Sequence, residues 1–504
     1  MKVLDPKALP EERLATTDER GRRVYLFPAH VHGKFRIRRD ITQVLLIAFF
    51  LILPWLTWKG EQLVLFSIPE RRFHLFGLTF WAHDTPILFF VLLFATILLA
   101  FVTAIWGRVW CGWACPQTVF IDGVFRRIER WVVGSHIVQQ QLARAPWTVE
   151  KVRKIGLKWF LFVAVGLVIS HSFAAYFVGS HQILAMIAHP PAENWTTFLV
   201  VMGIAALVVF DFGWFREQFC IIACPYGRIQ SLLMDSHSQA VVYDTARGEP
   251  RGPLAQKKAT GSGGDCVDCK RCIIVCPTGI DIRRGVQMEC VACTACMDAC
   301  DEVMEKIQRP KGLIRYDSVR GLEGKKPVWF RPRVLVYLGI LVISLSGLSW
   351  AVARREPIDF MVLRGKDVPY QELVDSASQT PVVMNHLKAH IKNQSGKESR
   401  VFIEPVTEGL APELVPLIKV VIPVNPLVLK VNGLERVHFF VQVPRSAFVG
   451  AGEFRLTLRL RASAVEPGGE VGGTPGAAGE SDVAGPGEEP FAVIDKEVRL
   501  VGPR

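Results

Sequence analysis

Eight cysteines between Cys266 and Cys300 constrain this chain more than any other feature. Cys266, Cys269, Cys272 and Cys276 are spaced C-x2-C-x2-C-x3-C, with Pro277 next. Cys290, Cys293, Cys296 and Cys300 repeat that spacing, with Asp301 in place of the proline. Four thiolates so spaced wrap a [4Fe–4S] cube. In two-cluster ferredoxins the fourth cysteine of each run reaches the other cluster. One expected ligand set is therefore Cys266, Cys269, Cys272 and Cys300. The other is Cys276, Cys290, Cys293 and Cys296. Structural zinc is disfavoured, because zinc sites space two C-x2-C pairs by a dozen or more residues. Disulfides need an oxidising compartment, and the topology argued below places this segment in the cytoplasm.

The rest of the chain is a membrane protein. Half of its residues are hydrophobic and the mean hydropathy is +0.27. Five apolar runs, 41–58, 85–106, 158–178, 196–215 and 334–353, are each about the length that crosses a bilayer as a helix. The net charge of +12 would suggest nucleic acid in a soluble protein. Here the basic residues flank apolar runs, where they face anionic headgroups, and no nucleic-acid motif is present. The first run lacks a small-residue cleavage site and reads as an uncleaved anchor.

Lysine and arginine set the orientation. Residues 1–39 carry ten, 59–83 three, 107–157 eight, 179–195 none and 216–332 eighteen. That alternation predicts a cytoplasmic N-terminus, a cytoplasmic cluster segment and an external C-terminal region.

Two further motifs lie at the ends of the second and fourth runs. Cys111 and Cys115 stand in WGRVWCGWACPQ, and Cys220 and Cys224 in WFREQFCIIACPYGRIQ. Each is Cys-x3-Cys-Pro after an arginine, and the two copies are offset by 109 residues. On a helix the spacing predicts both sulfurs of a pair on one face. The pairs can converge into a four-thiol site, with Arg108 and Arg216 favouring thiolate. A soft-metal site such as Cu(I), a redox dithiol and a third cluster all suit four thiols. Inert packing is the alternative, since cysteine behaves as a small hydrophobe. His74, His83, His171, His181 and His189 read as interfacial or loop residues. His386 and His390 fall in strand-like sequence without a metal pattern.

Beyond Trp350 the sequence changes character. Arg400–Val406, Leu427–Val431, Val437–Val443, Glu453–Arg461 and Phe491–Val501 read as short strands separated by turn residues, which predicts a small β-sandwich. Residues 466–489, rich in Gly, Pro and Glu, read as a flexible insertion. The expected domains are a basic cytoplasmic segment 1–40, membrane helices and thiol motifs 41–230, a ferredoxin-type domain 231–332, a fifth membrane helix 333–354 and a β domain 355–504.

RVWCGWACPQT, REQFCIIACPYGRIQS, GDCVDCKRCIIVCPTGIDIR and MDACDEVMEKIQRPKGLIRY together resemble the CcoG/FixG/RdxA family of bacterial membrane iron–sulfur proteins. The resemblance runs from about Gly21 to Tyr316. It resumes at Asn385-His386-Leu387-Lys388 and Lys392-Asn393, which look like the start of that family's immunoglobulin-like domain. The membrane ferredoxin of periplasmic nitrate reduction is similar in spans and clusters but lacks the long β domain. The 466–489 segment departs from the family pattern.

The resemblance implies a five-helix inner-membrane bundle, a cytoplasmic two-[4Fe–4S] segment and a periplasmic immunoglobulin-like β-sandwich. It further implies Cu(II)-to-Cu(I) reduction for assembly of cbb3-type cytochrome c oxidase, with oxidase subunits or copper chaperones as partners. Copper would bind near Cys111, Cys115, Cys220 and Cys224, and electrons would enter at the clusters. No flavin or nicotinamide fingerprint is present, so a soluble cytoplasmic molecule must donate. A plain electron conduit, without copper chemistry, is the competing function. A scaffold is a third, but one metal site would suffice to fold such a loop.

Overall fold

A computed structural model describes residues 16–17, 20, 23–58, 61–69, 72–81, 85–255, 263–326, 328–365, 368–374, 380–395, 397–408, 410–431, 433–448, 452–465 and 490–503. The chain forms two compact units, 1–351 and 352–504.

Five long helices frame the first unit: α1 Lys34–Ile52, α2 Thr85–Trp106, α3 Val149–Val178, α4 Trp195–Val208 and α5 Pro332–Ala353. Helix α4 continues as a π-helical stretch, Val209–Phe215. Four segments are long and apolar enough to cross a membrane: Pro86–Trp106, Val149–Val178, Pro191–Phe215 and Pro332–Ala353. Thr148 caps α3 by accepting from the Lys151 amide. Phe125, Phe162 and Phe212 build an aromatic core where α3 meets the end of α4. The Ser170 hydroxyl donates to the Val201 carbonyl at 2.7 Å and ties the two helices further along.

The first helix differs from the expected span 41–58. It starts inside the basic segment, at Lys34, and stops at Ile52, after which Pro54 sits in a 3₁₀ turn. Arg36 and Arg39 are held there by Asp122, at 2.6 and 3.2 Å. Buried ion pairs thus recruit the charged turns into helix, where hydropathy alone would end it. The described residues just before α1 are also anchored. The Ala29 amide donates to Ile274 O at 3.0 Å, and Val31 packs with Val275 and Ala299. Between α1 and α2 a three-stranded antiparallel meander, Val64–Ser67, Arg72–Leu75 and Leu78–Trp81, occupies what reads in sequence as a loop.

The cysteine-rich segment is closed at its base by a two-stranded antiparallel sheet, Ala240–Tyr243 with Ile314–Asp317. Val241, Ile273, Ile280, Ile282, Met304 and Ile314 form its core around the cysteines.

The second unit is two antiparallel sheets sharing one core. Its strands are β1 Ile358–Arg364, β2 Gln371–Val374, β3 Pro381–Asn393, β4 Ser399–Pro405, β5 Lys419–Val421, β6 Leu427–Leu429, β7 Leu434–Pro444, β8 Glu453–Ala464 and β9 Ala492–Val501. One sheet runs β5-β7-β3-β1 with β2 also on β3, and the other runs β6-β4-β8-β9. Inward residues of both, including Leu387, Ile391, Phe439 and Val441 facing Val401, Leu458 and Leu460, bury one hydrophobic layer. The strands expected from alternation are all present within a few residues. Alternation does not predict β1, β2 and β5, and it marks β3 only as strand-like sequence around His386 and His390. In β3 the inward positions include Asn385 and Ala389, which break the apolar rhythm. Residues 466–489, expected to be a flexible insertion, lie outside the described residues, as does His83.

Candidate iron–sulfur and thiol centre

The two cysteine runs fold as structural copies. Each position in the first recurs 24 residues on, Cys266 at Cys290 through Cys276 at Cys300. The backbone repeats as well. Asp268 and Lys270 have φ of 52° and 58°, and their counterparts Ala292 and Thr294 have 50° and 62°. Left-handed non-glycine residues cost energy and persist only where the surroundings impose them. Here they flank the second cysteine of each run and curl the loop around the space its sulfurs face. A short helix, Arg271–Ile274, carries Cys272, and a longer one, Ala295–Lys306, carries Cys296 and Cys300 one turn apart.

The sulfurs sort across the repeats. Cys276, Cys290, Cys293 and Cys296 line one small cavity with Thr278, Ile280 and Ile282, and Cys272 of the first run reaches the same wall. Cys300 instead lies within electrostatic reach of Cys269 and Cys266, and Cys272 of Cys300 and Cys269. The fourth cysteine of each run therefore turns toward the other run's set. Burial pushes the Cys276 thiol up to about 11, and those of Cys290 and Cys300 to about 12. Thiols so placed keep their protons unless a metal replaces them. Around Cys276, the Thr278 hydroxyl stands 3.3 Å from the sulfur, and the Ala292 amide donates to Cys290 Sγ at 3.4 Å. Such hydrogen bonds to sulfur suit thiolate ligands of a cluster. The residues present fit two [4Fe–4S] groups.

The two Cys-x3-Cys-Pro motifs adopt one shared conformation, and it is not a single helix. Cys111 lies in a short helix, Val109–Trp113. Cys115 is extended, with φ −63° and ψ 126°, and caps the next helix, which begins at Pro116. Cys220 lies in a π-helical turn, Phe219–Ala223. Cys224, with φ −73° and ψ 113°, caps the helix Pro225–Leu233. A residue before proline is driven out of helical conformation, and proline is well placed at a first helical position. The expected common helical face is thus replaced by helix, break and helix.

The four thiols still converge. Cys115 and Cys224 both act on Cys111, and Cys115, Cys111 and Cys224 all act on Cys220. All four are partly buried. The Gln230 amide donates to Cys111 Sγ at 3.2 Å, and the Thr118 hydroxyl donates to the Cys115 carbonyl at 3.1 Å. Burial raises the Cys111 thiol to about 11, helped by Cys115 and opposed by Gln230 and Arg108. Arg216 does not serve Cys220 as expected. It is fully committed to Glu129, at 3.0 and 2.6 Å, because a buried guanidinium needs a carboxylate.

Among the described residues, no three His, Cys, Asp or Glu side chains stand close enough to share a single metal ion. One tetrahedral ion draws its sulfurs to roughly 2.3 Å from itself, whereas a four-iron cube holds them farther apart. Among the described residues, no histidine joins the thiols in a metal-binding group. His74 bonds Thr79 at 2.9 Å, His171 bonds Leu167 O at 2.7 Å, and His189 pairs with Glu193 at 3.3 Å. His386 meets His438 at 3.0 Å on the outer face of β3 and β7.

The thiol motifs and the second cysteine set are neighbours, which the sequence did not reveal. A β-carbon on Gly112 would stand 2.5 Å from the Ala292 carbonyl oxygen and 2.6 Å from that of Val291. Cys111 is therefore one residue from a backbone contact with the loop between Cys290 and Cys293. Arg108 spans the same seam, donating to the carbonyls of Met288 and, at 3.2 Å, Cys290. Arg39 Nε donates to Gly112 O at 2.9 Å, and its Nη1 reaches Cys293 O at 3.5 Å. Asp298, between Cys296 and Cys300, caps α1 by accepting from the Phe35 and Arg36 amides at 3.2 and 2.7 Å.

A family described as "4Fe-4S dicluster domain" matches residues 215–319, and one described as "4Fe-4S binding domain" matches 87–134. Protein RdxA of Cereibacter sphaeroides is 35% identical over 470 residues, covering 90% of this chain and 95% of its own. The chain belongs to the CcoG/FixG/RdxA family. Within that family, Protein RdxB of the same organism is 37% identical over 430 residues, with 80% of this chain and 87% of its own length covered. The nitrogen fixation protein FixG of Rhizobium meliloti is 34% identical over 387 residues, covering 68% and 72%. Like its CcoG/FixG/RdxA relatives, the chain is an iron–sulfur electron-transfer protein of membranes.

Proposed function

We propose that this protein reduces Cu(II) to Cu(I) at Cys111, Cys115, Cys220 and Cys224 and passes the copper on for assembly of cbb3-type cytochrome c oxidase. The observation that carries this reading is the contact of Gly112 with Val291 and Ala292, which sets the thiol site against the second cysteine set. Bound clusters supply single electrons at low potential. Reduction of Cu(II) to Cu(I) takes one electron and no proton. The four cysteines hold the product because thiolate and Cu(I) are both soft. Arg108 and Arg39 fix the seam, and Gln230 and Thr118 orient the motifs. Each second cysteine, Cys115 and Cys224, sits at a helix N-terminus, and at Cys115 the Gln117 and Thr118 amides offset part of the rise that burial gives its thiol.

In this reading, Cys266, Cys269, Cys272 and Cys300 ligate one cluster and Cys276, Cys290, Cys293 and Cys296 the other. Electrons for clusters bound there would come from a soluble cytoplasmic donor. Helix α1 is the fifth span of an inner-membrane bundle. The N-terminus is cytoplasmic and the β-sandwich, immunoglobulin-like, is periplasmic and receives oxidase subunits or copper chaperones. A reporter after Arg504 is then active outside and one inserted near Gly261 inside; the reverse at either site would overturn this topology.

One observation favours a second reading. The family matched over 87–134 is described as binding 4Fe-4S, and Cys111 and Cys115 are the cysteines in that stretch. The four thiols would then hold a third cluster in an electron conduit. Metal content of Cys115→Ala, purified without oxygen, separates the two. In the copper reading the variant keeps all its iron and loses tight Cu(I) binding. Loss of about four irons per chain would establish the third cluster instead.

A further inference from the structure

Beside the second cysteine set lies a cavity that the copper reading does not use. Its walls come from Leu26–Val31, from α1, from the stretch Asp122–Arg130, and from Cys293 and Ala295. Five guanidinium groups line it, those of Arg36, Arg39, Arg126, Arg130 and Arg216, against the carboxylates of Asp122 and Glu129. The pairing is legible. Asp122 takes Arg36 and Arg39, Glu129 takes Arg216 and, at 3.6 Å, Lys158, and Arg126 pairs with Glu217 at 2.6 Å. Asp40 holds Arg36 and Arg127, each at 2.7 Å. With Arg130 included, seven cations face four carboxylates. Among the described residues Arg130 has no ion-pair partner. His30, in the same wall, is held neutral at about 4 by burial and by Arg130 and Arg36.

An excess of positive charge in a closed site is costly unless an anion balances it. The second cluster, with its four thiolates, accounts for part of the excess, since Arg39 reaches Cys293 O. Arg130 feels Asp122 and Asp40 only at longer range, against the repulsion of Arg36 and Arg127. The free space is about 40 Å³, room for roughly three water molecules. That admits a phosphate group and is too small for a nucleotide or a flavin. Guanidinium forks match phosphate oxygens in pairs.

We infer that this cavity binds one phosphate group, which Arg130 and the arginines beside it hold next to the second cluster. The group is either free inorganic phosphate or the headgroup of an anionic phospholipid. Both present the same oxygens to the site.

Inorganic phosphate titrated into the full-length, cluster-loaded protein in detergent, after exhaustive delipidation, tests this. One phosphate per chain should bind saturably. It should shift the reduction potential of one cluster to more negative values, because added negative charge favours the oxidised state. Arg130→Gln should weaken binding about tenfold or more, the value of a charge-assisted pair. Arg455→Gln, at an exposed ion pair with Glu497 in the second unit, should bind as the parent does. Eight irons retained in both variants confirm that they are folded. If the source is lipid, one phosphorus per chain copurifies and free phosphate binds only after its extraction. If it is free phosphate, binding needs no extraction. Absence of saturable binding after delipidation, or unchanged binding in iron-loaded Arg130→Gln, overturns the inference and leaves the arginines as partners of the cluster alone.

Discussion

Gly112 lies flat against the carbonyl of Ala292, with 2.5 Å between that oxygen and the place a β-carbon would occupy. This contact brings the Cys111 motif to the loop that carries Cys290 and Cys293. Backbone meets backbone there, so at that point of contact no side chain can yield.

Gly112→Ala should therefore force the two loops apart. Overpacking of this kind costs about 1–3 kcal/mol, and thermal unfolding should reflect it. Iron content should stay at two clusters. Transfer of electrons from pre-reduced clusters to Cu(II), followed by stopped flow, should slow well beyond what the stability loss explains. Parent-like transfer in the alanine variant would mean that the seam is not the route.

Cys276→Ser tests the crossed ligand sets. Cys276 lines the cavity shared by Cys290, Cys293 and Cys296, although in sequence it belongs to the first run. The serine variant should lose or alter that cluster and keep the one held by Cys266, Cys269, Cys272 and Cys300. EPR of the reduced protein reads this out, because removing one cluster also removes spin coupling between the pair. Damage confined to the other cluster would require uncrossed ligation.

Asp122 gives a pH dependence with a definite sign. Burial pushes its carboxyl up, but Arg39, Arg36 and Arg126 overcome that and hold it well below the usual carboxylate range. Its contribution to stability is complete above the unfolded value of about 3.9. It is lost as pH falls through the lower folded value. Asp122→Asn should cost about 3–5 kcal/mol at neutral pH, since it strands paired arginines in the interior. The variant's stability should also fall less steeply than the parent's between pH 4 and the acid limit. Parallel acid unfolding curves for the two proteins would remove Asp122 from this role.

Which parts of this structure could be read from the chain follows from the range of the forces involved. The cysteine spacing is local chemistry, and Cys276 lies beside Cys290, Cys293 and Cys296 while Cys300 lies near Cys266 and Cys269, with Cys272 touching both groups. Alternation in Val437–Val443 and Glu453–Arg461 is local too, and those strands formed. The helical face expected for Cys111 and Cys115 failed for a local reason that was in plain sight, the proline at Pro116. Long-range pairing was not legible. Nothing near Lys34 announces that Asp298 caps its helix, and nothing near Arg216 announces Glu129. Gly112 reads as a spacer in the sequence, and only the fold shows the carbonyls it makes room for.

The central claim is that electrons reach copper at the four thiols. It is tested most directly by reducing the clusters without oxygen, removing the reductant and mixing with Cu(II). The parent should lose its reduced-cluster EPR signal while one Cu(I) forms per electron lost, and Cys115→Ala/Cys224→Ala should keep both clusters yet hold the signal. Cluster oxidation by Cu(II) at the parent rate in that double variant would contradict the account.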